Sequence, residues 1–341
     1  MLSSPYPSDK RPVLQNERVR VAVDLGVGGV IREVTDLQVG ENMINCMVYS
    51  DGRRDPGRDD QISLYGMPNA ATGWSQGGKP VLDDIGYNPV QGGDIAGNFS
   101  PMLGYGRTDK VLYTKTRNLL WGLNNEPGHY IVEQWIRLDG NVVKRHVKIV
   151  GNRPDNTKYD DVRQQELPCT YTNSAYYQYY IAQGDPYSNA PSINVNSIQN
   201  LGGSGTSLNN YRNQGQMGPL NVDSSEPWIA AIRPSNGRGL ALHTPYSHEF
   251  KVGLFNEMGW GPPESINAGY IANTVSMPLD PNGVYEFDIN MIVGTLSEIR
   301  NTVNTLPRSE TKPNYIFNGN PTRCGFYYRK GYDQGFPVGN E

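Results

Sequence analysis

An alternating pair of segments around Asp139-Gly140 constrains the fold of this chain more than any other feature. In the stretch YIVEQWIRLDGNVVKRHVKIV, apolar and polar residues alternate on both sides of a dipeptide that is typical of a tight hairpin turn. If Asp139-Gly140 is the loop, Ile136 faces Val143 on the core side, and Glu133 faces His146 on the other. That second side is too polar to pack against another sheet. It carries Glu133, Trp135, Arg137, Lys144 and His146, whereas the core side carries Val132, Ile136, Val143 and Val147.

The remainder of the chain predicts further strands and very little helix. Segments such as RVRVAVDL and GVYEFDINMIVGT alternate with a period of two, and turns rich in Gly, Asn and Pro separate them. The one convincing helix follows Thr295, which is spaced from Glu298 as in a capping box, and an apolar stripe continues through Ile299 and Val303. We therefore predict an all-β, antiparallel sandwich with one short helix near residues 296–306.

The length and composition suit a folded domain. At 341 residues the chain could form two domains, but β-sandwiches of this size often form one. Residues 1–17 are polar and Pro-rich, so we predict an extended N-terminal arm followed by a single domain at residues 18–341. Hydrophobic residues make up 37% of the chain and charged residues 19%, which is enough for a core and too little charge for disorder.

Several partner and cofactor classes are not expected. A net charge of -4 gives no basic surface for nucleic acid, and no apolar run is long enough to span a membrane. Cys46, Cys169 and Cys324 follow no metal-ligand spacing, and one disulfide among them is compatible but not required. GVGGVIREV lacks the spacing of a dinucleotide loop, so we predict no metal and no cofactor. The opening residues have no apolar stretch of the kind found in signal peptides, so none is expected there. The sequon at Asn98 gives weak support for a secreted or periplasmic location rather than a cytoplasmic one.

Two Gly-Arg turns, GRR and GRDD, lead into a polar strand between Asn42 and Pro68. After the turns Gln61, Ser63 and Tyr65 alternate with Ile, Leu and Gly, which places the three polar side chains on one face of a strand. A strand buried in a core is not expected to carry a polar face, whereas a strand that lines a cleft for a hydroxyl-rich ligand is. The 22 Tyr and 5 Trp, against 7 Phe, fit either half-buried sheet surfaces or ligand stacking.

The chain also contains, in this order, the segments GGVIREV, NMIN followed by GRDDQISLYG, NPVQGGD, VEQWIRLDGNVVKRHVKI, QQELP, EPWIAAI, GRGLALHTP and IVGTLSEIR. They span about residues 19–336 and together resemble the galactose-mutarotase-like β-supersandwich proteins of bacterial carbohydrate metabolism, in particular a poorly characterised group of them. The resemblance implies an antiparallel supersandwich whose ligand lies on the concave face of a large sheet. The chain departs from aldose epimerases, because none of its histidines lies in a motif that matches their catalytic pair. These histidines are His129, His146, His243 and His248.

Glycoside hydrolysis requires two carboxyl groups. The catalytic candidates are Glu166, Glu133 and His146. Glu166 is the first choice for the general acid because it stands alone in QQELP among amides and apolar residues. The alternative for Glu166 is a structural carboxylate that accepts backbone hydrogen bonds. Glu133 could orient or ionise beside His146, and the alternative is an exposed cross-strand pair worth little.

Four further residues are candidates for substrate binding. Arg58 offers a planar fork of donors, and Gln61 offers a donor and an acceptor, to a polyhydroxylated or acidic sugar. Tyr65 could be a hydrogen-bonding wall or a lyase-type base, and Trp228 could stack on a sugar face. The structural alternatives are an ion pair of Arg58 with a neighbouring Asp, a sheet Tyr and a core Trp.

These observations predict a carbohydrate-active protein, most simply a glycoside hydrolase that acts on an oligo- or polysaccharide. The seven candidate residues are predicted to converge on one concave face, with Trp228 at its wall. Two alternatives remain open at this point. One is a non-catalytic glycan-binding or structural sandwich that assembles as a homo-oligomer through its Tyr-rich surface and N-terminal arm, and the other is a polysaccharide lyase.

Overall fold

The computed structural model describes residues 10–66, 88–152, 163–188, 192–195, 219–255, 261–277, 279, 282–307 and 327–330. Residues 1–9 of the predicted arm and Cys324 lie outside these ranges. Within the described part of the arm, Val13–Gln15 is a strand that pairs with Val19–Asp24. This part of the arm therefore lies along the sheet, and the division into an arm and a single domain stays a prediction.

Twenty strands and one α-helix make up the regular structure of the described residues. The strands are β1 (Val13–Gln15), β2 (Val19–Asp24), β3 (Val30–Asp36), β4 (Glu41–Asn42), β5 (Asp60–Ser63), β6 (Pro89–Val90), β7 (Met102–Arg107), β8 (Leu112–Leu120), β9 (Pro127–Asp139), β10 (Val142–Gly151), β11 (Arg163–Asn173), β12 (Gln178–Ala182), β13 (Ser192–Asn194), β14 (Leu220–Asp223), β15 (Trp228–Arg233), β16 (Arg238–His243), β17 (Glu249–Phe255), β18 (Ala268–Met277), β19 (Gly283–Thr295) and β20 (Tyr327–Lys330). The helix, α1 (Leu296–Val303), follows β19 directly.

The strands form one continuous antiparallel sheet that folds into two walls. The order in the first wall is β7–β8–β9–β10–β19–β16–β15–β12–β13. The order in the second wall is β1–β2–β3–β5–β11–β18–β17–β14. β6 joins the walls, because it pairs with β5 on one side and with β8 on the other.

One hydrophobic core lies between the walls and confirms the predicted all-β sandwich. Ile136 and Met291 enter it from the first wall, and Phe250 and Ile271 enter it from the second. Removal of these side chains from water drives the two walls together. Because side chains alternate along a strand, the neighbours of each core residue point outward, and the functional candidates lie on those outward sides.

The predicted hairpin is present, but its loop is shifted by one residue. Asp139 pairs with Val142, so the loop is Gly140-Asn141, and Gly140 takes a positive φ of 53° that suits glycine. The shift moves each cross-strand pair by two residues. Glu133 therefore faces Lys148, and His146 faces Trp135, so the predicted pairing of Glu133 with His146 is wrong. A shift of two preserves the two sides of each strand, and Ile136 and Val143 are fully buried, as predicted.

The predicted helix is confirmed, together with its cap. The Thr295 side chain accepts a hydrogen bond from the Glu298 backbone N–H, and the Glu298 carboxylate accepts one from the Thr295 N–H. Ile299 and Val303 are buried on the outward side of the first wall, where they share a cluster with Trp228. The helix thus covers part of the first wall that would otherwise expose apolar side chains.

A buried ion pair connects the two walls through the core. The Arg145 guanidinium of β10 donates to the Asp60 carboxylate of β5 at 2.5 Å and to the Gln134 side chain at 2.7 Å. Thr170 of β11 donates to the second oxygen of Asp60, also at 2.5 Å. Burial raises the pKa of Asp60 and lowers that of Arg145, and the attraction within the pair opposes both shifts. Because neither side chain reaches solvent, each depends on the other for compensation of its charge.

Candidate functional site

The outward side of β5, β11, β17 and β18 in the second wall carries a cluster of charged and aromatic side chains. Along β17, Phe250 and Leu254 pack in the core, so Glu249 and Lys251 point outward. We call this surface the Glu166 face. Its residues are Arg58, Tyr65, Glu166, Tyr171, Glu249, Lys251, Phe255 and Tyr270.

A bulge in β11 sets the direction of Glu166. Glu166 pairs with Thr274 of β18, whereas Cys169 pairs with Ala272, so β11 has one residue more than β18 between these two pairs. The same shift occurs against β5 on the other side. As a result Glu166 and Cys169 both point outward, although they are three residues apart and a regular strand would place them on different sides.

Glu166 is a buried carboxylate with two proton-bearing neighbours. The Tyr65 hydroxyl donates to Oε2 at 3.1 Å, and the Lys251 ammonium donates to Oε1 at 3.3 Å. Burial raises the pKa of Tyr65 well above its usual value, and the negative charge of Glu166 adds to this. Tyr65 therefore stays protonated at neutral pH and acts as a hydrogen-bond donor. The structure brings Glu166 and Tyr65 together, as the sequence analysis predicted.

Arg58 lies against two neighbouring aromatic rings of the Glu166 face. Its guanidinium carbon is 4.8 Å from the centre of the Tyr171 ring and 4.9 Å from that of Phe255, and its Nε is 4.0 Å from an Asp55 carboxylate oxygen. The two ring centres are only 5.4 Å apart, so the rings contact each other and the cation is stabilised by contact with both of them. The long ion pair leaves donors of the fork for another acceptor. Arg58 is thus fixed at the edge of the Glu166 face.

Asp59 supports the loop that carries Arg58. Its backbone takes a positive φ of 75°, which is uncommon for a residue with a side chain. Its carboxylate is fully buried and accepts from the Arg54 guanidinium at 2.6 Å. Burial raises the pKa of Asp59 to about 7, although Arg54 opposes the shift. Asp59 is therefore a titratable group next in sequence to the predicted binding residue Arg58.

Glu249 supplies a second carboxylate that the sequence analysis did not identify. The pairing of Phe250 with Asn273 places Glu249 beside Thr274, and Glu166 lies on the other side of the same Thr274. The Cα atoms of the two glutamates are thus about 10 Å apart, or two strand spacings. The Thr274 hydroxyl between them is buried and has no hydrogen-bond partner among the described residues. Two carboxylates therefore flank a buried hydroxyl on the same side of the second wall.

Gln61 contacts backbone groups and is buried. Its Oε1 accepts from the Gly92 N–H at 2.8 Å, and its Nε2 donates to the Arg58 carbonyl at 3.2 Å. Only 2% of the residue is exposed. The predicted substrate contact is therefore not present, and Gln61 instead holds the loop from which Arg58 projects.

Glu133 and His146 lie on the outward side of the first wall. We call this surface the hairpin face and define it by Glu133, Trp135, His146 and Asp288. Glu133 accepts from the Tyr113 hydroxyl at 2.5 Å and pairs with Lys115 at 3.2 Å. His146 contacts the Asp288 carboxylate at 2.8 Å through Nδ1, and its ring lies 5.7 Å from that of Trp135.

The two faces are far apart along the sheet, so the predicted convergence of all candidates on one face is wrong. From β9, which carries Glu133, the path to β11, which carries Glu166, crosses β8, β6 and β5. Four strand steps correspond to about 19 Å. The sequence places each residue on one side of its own strand, but it does not say on which wall that strand lies.

Trp228 is part of the core and does not line a ligand surface. Its side chain is fully buried, and its indole N–H donates to a Glu226 carboxylate oxygen at 2.7 Å. Helix α1 covers it through Ile299 and Val303. The predicted stacking on a sugar is therefore wrong, because the helix occupies the space in which a ligand would lie.

Other classes of site find no support in the described part of the chain. Cys46 and Cys169 are both free and buried, and burial raises the pKa of Cys46 to about 12. The described residues contain no group of three or more His, Cys, Asp or Glu arranged to hold a metal. Their one helix has eight residues, and no described helix has the length and apolar character of a membrane span.

Comparison with solved structures identifies the fold class. The chain is similar to a candidate aldose 1-epimerase from Escherichia coli, with 11% identity, a TM-score of 0.50, and coverage of 84% of this chain and 99% of that one. A galactose mutarotase-like protein from Lactobacillus casei is 9% identical, with coverage of 83% and 99% and a TM-score of 0.46. No protein-family profile and no curated protein matches the sequence. The fold is that of a galactose mutarotase-like β-supersandwich.

Proposed function

We propose that this protein is a carbohydrate-active enzyme that hydrolyses glycosidic bonds at the Glu166 face. One observation carries the proposal. A buried carboxylate, Glu166, contacts a phenol and an ammonium group, and a second outward carboxylate, Glu249, lies two strands away on the same surface. Glycoside hydrolysis requires two carboxyl groups that flank the scissile bond. The fold shared with a candidate aldose 1-epimerase supports a sugar as the ligand.

The contacts suggest a role for each residue. Glu166 forms an ion pair with Lys251, so it acts as the base or the nucleophile rather than as the general acid of the sequence-based hypothesis. Glu249 then supplies the proton to the leaving group. The protonated Tyr65 donates a hydrogen bond to Glu166 or to a sugar hydroxyl. Arg58, held against its two rings, donates to sugar oxygens at the edge of the site.

Two other reactions are less well supported by the same contacts. Lyase chemistry with a Tyr65 base requires a phenolate, and the raised pKa of Tyr65 opposes its formation. Epimerisation with a histidine acid requires an imidazole near the carboxylate, and no histidine contacts Glu166 among the described residues.

The test begins with a screen of soluble glycans for reducing-end release and for the absorbance of unsaturated products. On a hydrolysed glycan, Glu166→Gln and Glu249→Gln should each lower kcat about hundredfold or more, while glycan binding and Tm stay close to wild type. If only Glu166→Gln loses activity, the result would contradict a mechanism with two carboxylates and indicate proton transfer by Glu166 alone. Unsaturated products would indicate a lyase. Binding without turnover would indicate a non-catalytic glycan-binding protein.

A further inference from the structure

The hairpin face contains a pocket that the proposed hydrolysis does not use. A cavity of about 380 Å³ opens beside β9, β10 and β19, and this volume falls in the range of small-molecule sites. Its apolar walls come from three parts of the chain. They are Trp135 of β9, Pro245 of the turn after β16, and Leu306 and Pro307 of the segment after α1. The pocket is therefore assembled by the fold and is not a groove within one hairpin.

Polar groups line one edge of this pocket. His146 and Asp288 contact each other at 2.8 Å, which fixes the orientation of the imidazole at the rim. Asn290, which also lines the pocket, contacts His243 Nδ1 at 3.2 Å through its side-chain amide. Burial lowers the pKa of His243 to about 4, so this ring is neutral at neutral pH and accepts the hydrogen bond. The edge thus offers an imidazole, a carboxylate and an amide in fixed positions.

The Arg137 guanidinium adds a positive charge to the polar edge of the pocket. Arg137 lines the pocket, is exposed, and makes no ion pair among the described residues. Lys144, by contrast, is paired with Asp139 at 2.5 Å. The Arg137 fork is therefore available for a ligand hydroxyl or carboxylate.

We propose that this pocket is a second, non-catalytic saccharide-binding site, which holds one part of a glycan while the Glu166 face acts on another. A sugar has an apolar side and a rim of hydroxyl groups, and the pocket has an apolar wall with donors and acceptors along one edge. The choice of a saccharide rests on the proposed function. The pocket itself does not, because none of its residues lies on the Glu166 face.

Photo-crosslinking with mass-spectrometric mapping tests the proposal. The probe is a glucoside that carries a diazirine, applied to the full chain in the Glu166→Gln background so that no turnover occurs. The expected label lies on peptides that contain Trp135–His146 and Asp288–Pro307. His146→Ala or Arg137→Ala should lower labelling of these peptides at least fivefold, whereas Arg117→Ala, an exposed arginine on β8 outside the pocket, should not.

The outcomes distinguish this proposal from the hydrolase. Competition by free glucose and by glucuronate separates a neutral sugar from an acidic one, and either result supports a saccharide site. Absence of label from the pocket peptides would overturn the proposal, as would label that neither His146→Ala nor Arg137→Ala reduces. Both of these results leave turnover at the Glu166 face untouched. Conversely, if the pocket peptides are labelled but the wild-type protein hydrolyses no glycan, the pocket proposal is supported and the hydrolase proposal is rejected.

Discussion

On the Glu166 face a glutamate contacts a tyrosine hydroxyl and a lysine ammonium group, and on the hairpin face Glu133 contacts the same two groups, from Tyr113 and Lys115. The surroundings differ. The Glu166 side chain is 5% exposed and its lysine 15%, whereas the corresponding values at Glu133 are 15% and 35%. A charge shielded from water interacts more strongly with its neighbours, and water screens an exposed pair. Burial, more than the set of residues, therefore makes the Glu166 face the better candidate for catalysis.

Breaking the link between the two walls should have the largest effect. Asp60→Ala leaves the Arg145 guanidinium buried without its carboxylate, which should lower the free energy of unfolding by about 3–5 kcal/mol. Urea denaturation measures this change. The matched control is Asp288→Ala, whose carboxylate pairs with His146 near the surface and should cost less than about 1 kcal/mol. Similar losses in the two variants would show that the buried pair does not join the walls energetically.

Replacing the glutamate of each face with glutamine should distinguish a catalytic carboxylate from one that only forms a surface ion pair. Glu166→Gln is expected to reduce kcat about hundredfold or more, because a proton-transfer group is lost, with little change in Tm. Glu133→Gln removes a carboxylate with the same two kinds of neighbour, yet it should leave kcat within about twofold. Steady-state kinetics on one soluble glycan gives both values. An equal loss at Glu133 would move the active site to the hairpin face.

Arg58→Lys should show whether the Glu166 face binds the substrate. Lysine keeps the charge but loses the planar fork and its contact with the Tyr171 and Phe255 rings, so KM should rise about tenfold with kcat nearly unchanged. Arg117→Lys, on the exposed side of β8, should alter neither constant. A fall in kcat with constant KM would indicate that Arg58 acts on the transition state and not on substrate binding.

The smallest expected effect is an opposite pH response on the two sides of the molecule. The pKa of Asp59 is raised from 3.8 to about 7, so its contribution to stability is present in full below about pH 4 and is lost as pH rises through about 7. The pKa of His243 is lowered to about 4, so its contribution is present near neutral pH and is lost as pH falls from about 6.5 to 4.

Thermal denaturation between pH 4.5 and 8 measures both responses against wild type. Asp59→Asn should gain a few degrees in Tm relative to wild type on going from pH 5 to 8, because the variant has no carboxylate to ionise. His243→Gln should gain relative to wild type on going from pH 7 to 4.5. Differences that do not change with pH would show that neither group titrates in this range.

Local features of the fold could be predicted, because they depend on neighbours in sequence. The alternation around Ile136 and Val143 correctly gave the core side of the hairpin, and Thr295 with Glu298 correctly gave the start of the helix. The loop position was harder, since Asp139-Gly140 and Gly140-Asn141 are both acceptable turns, and the structure uses the second.

The candidate site was only partly predictable, since it depends on which distant strands become neighbours. Glu166 and Tyr65 were identified from local patterns, but their common partner Lys251 comes from β17. The segment HEFKVGLF carries a usable signal, because Phe250 and the apolar residues that alternate with it leave Glu249 and Lys251 on one polar side. The cover over Trp228 had no such signal, because α1 reaches it from a remote part of the chain.

The bulge beside Glu166 affects how this chain can be aligned with other supersandwich proteins. β11 contains one residue more than its neighbours need between Glu166 and Cys169, while the pairs before and after the bulge remain in register with both β5 and β18. A relative without the bulge would therefore differ by a one-residue gap in the middle of a strand. Alignment procedures that place gaps only in loops would shift the carboxylate into the wrong column and conceal a correspondence that the superposed strands retain.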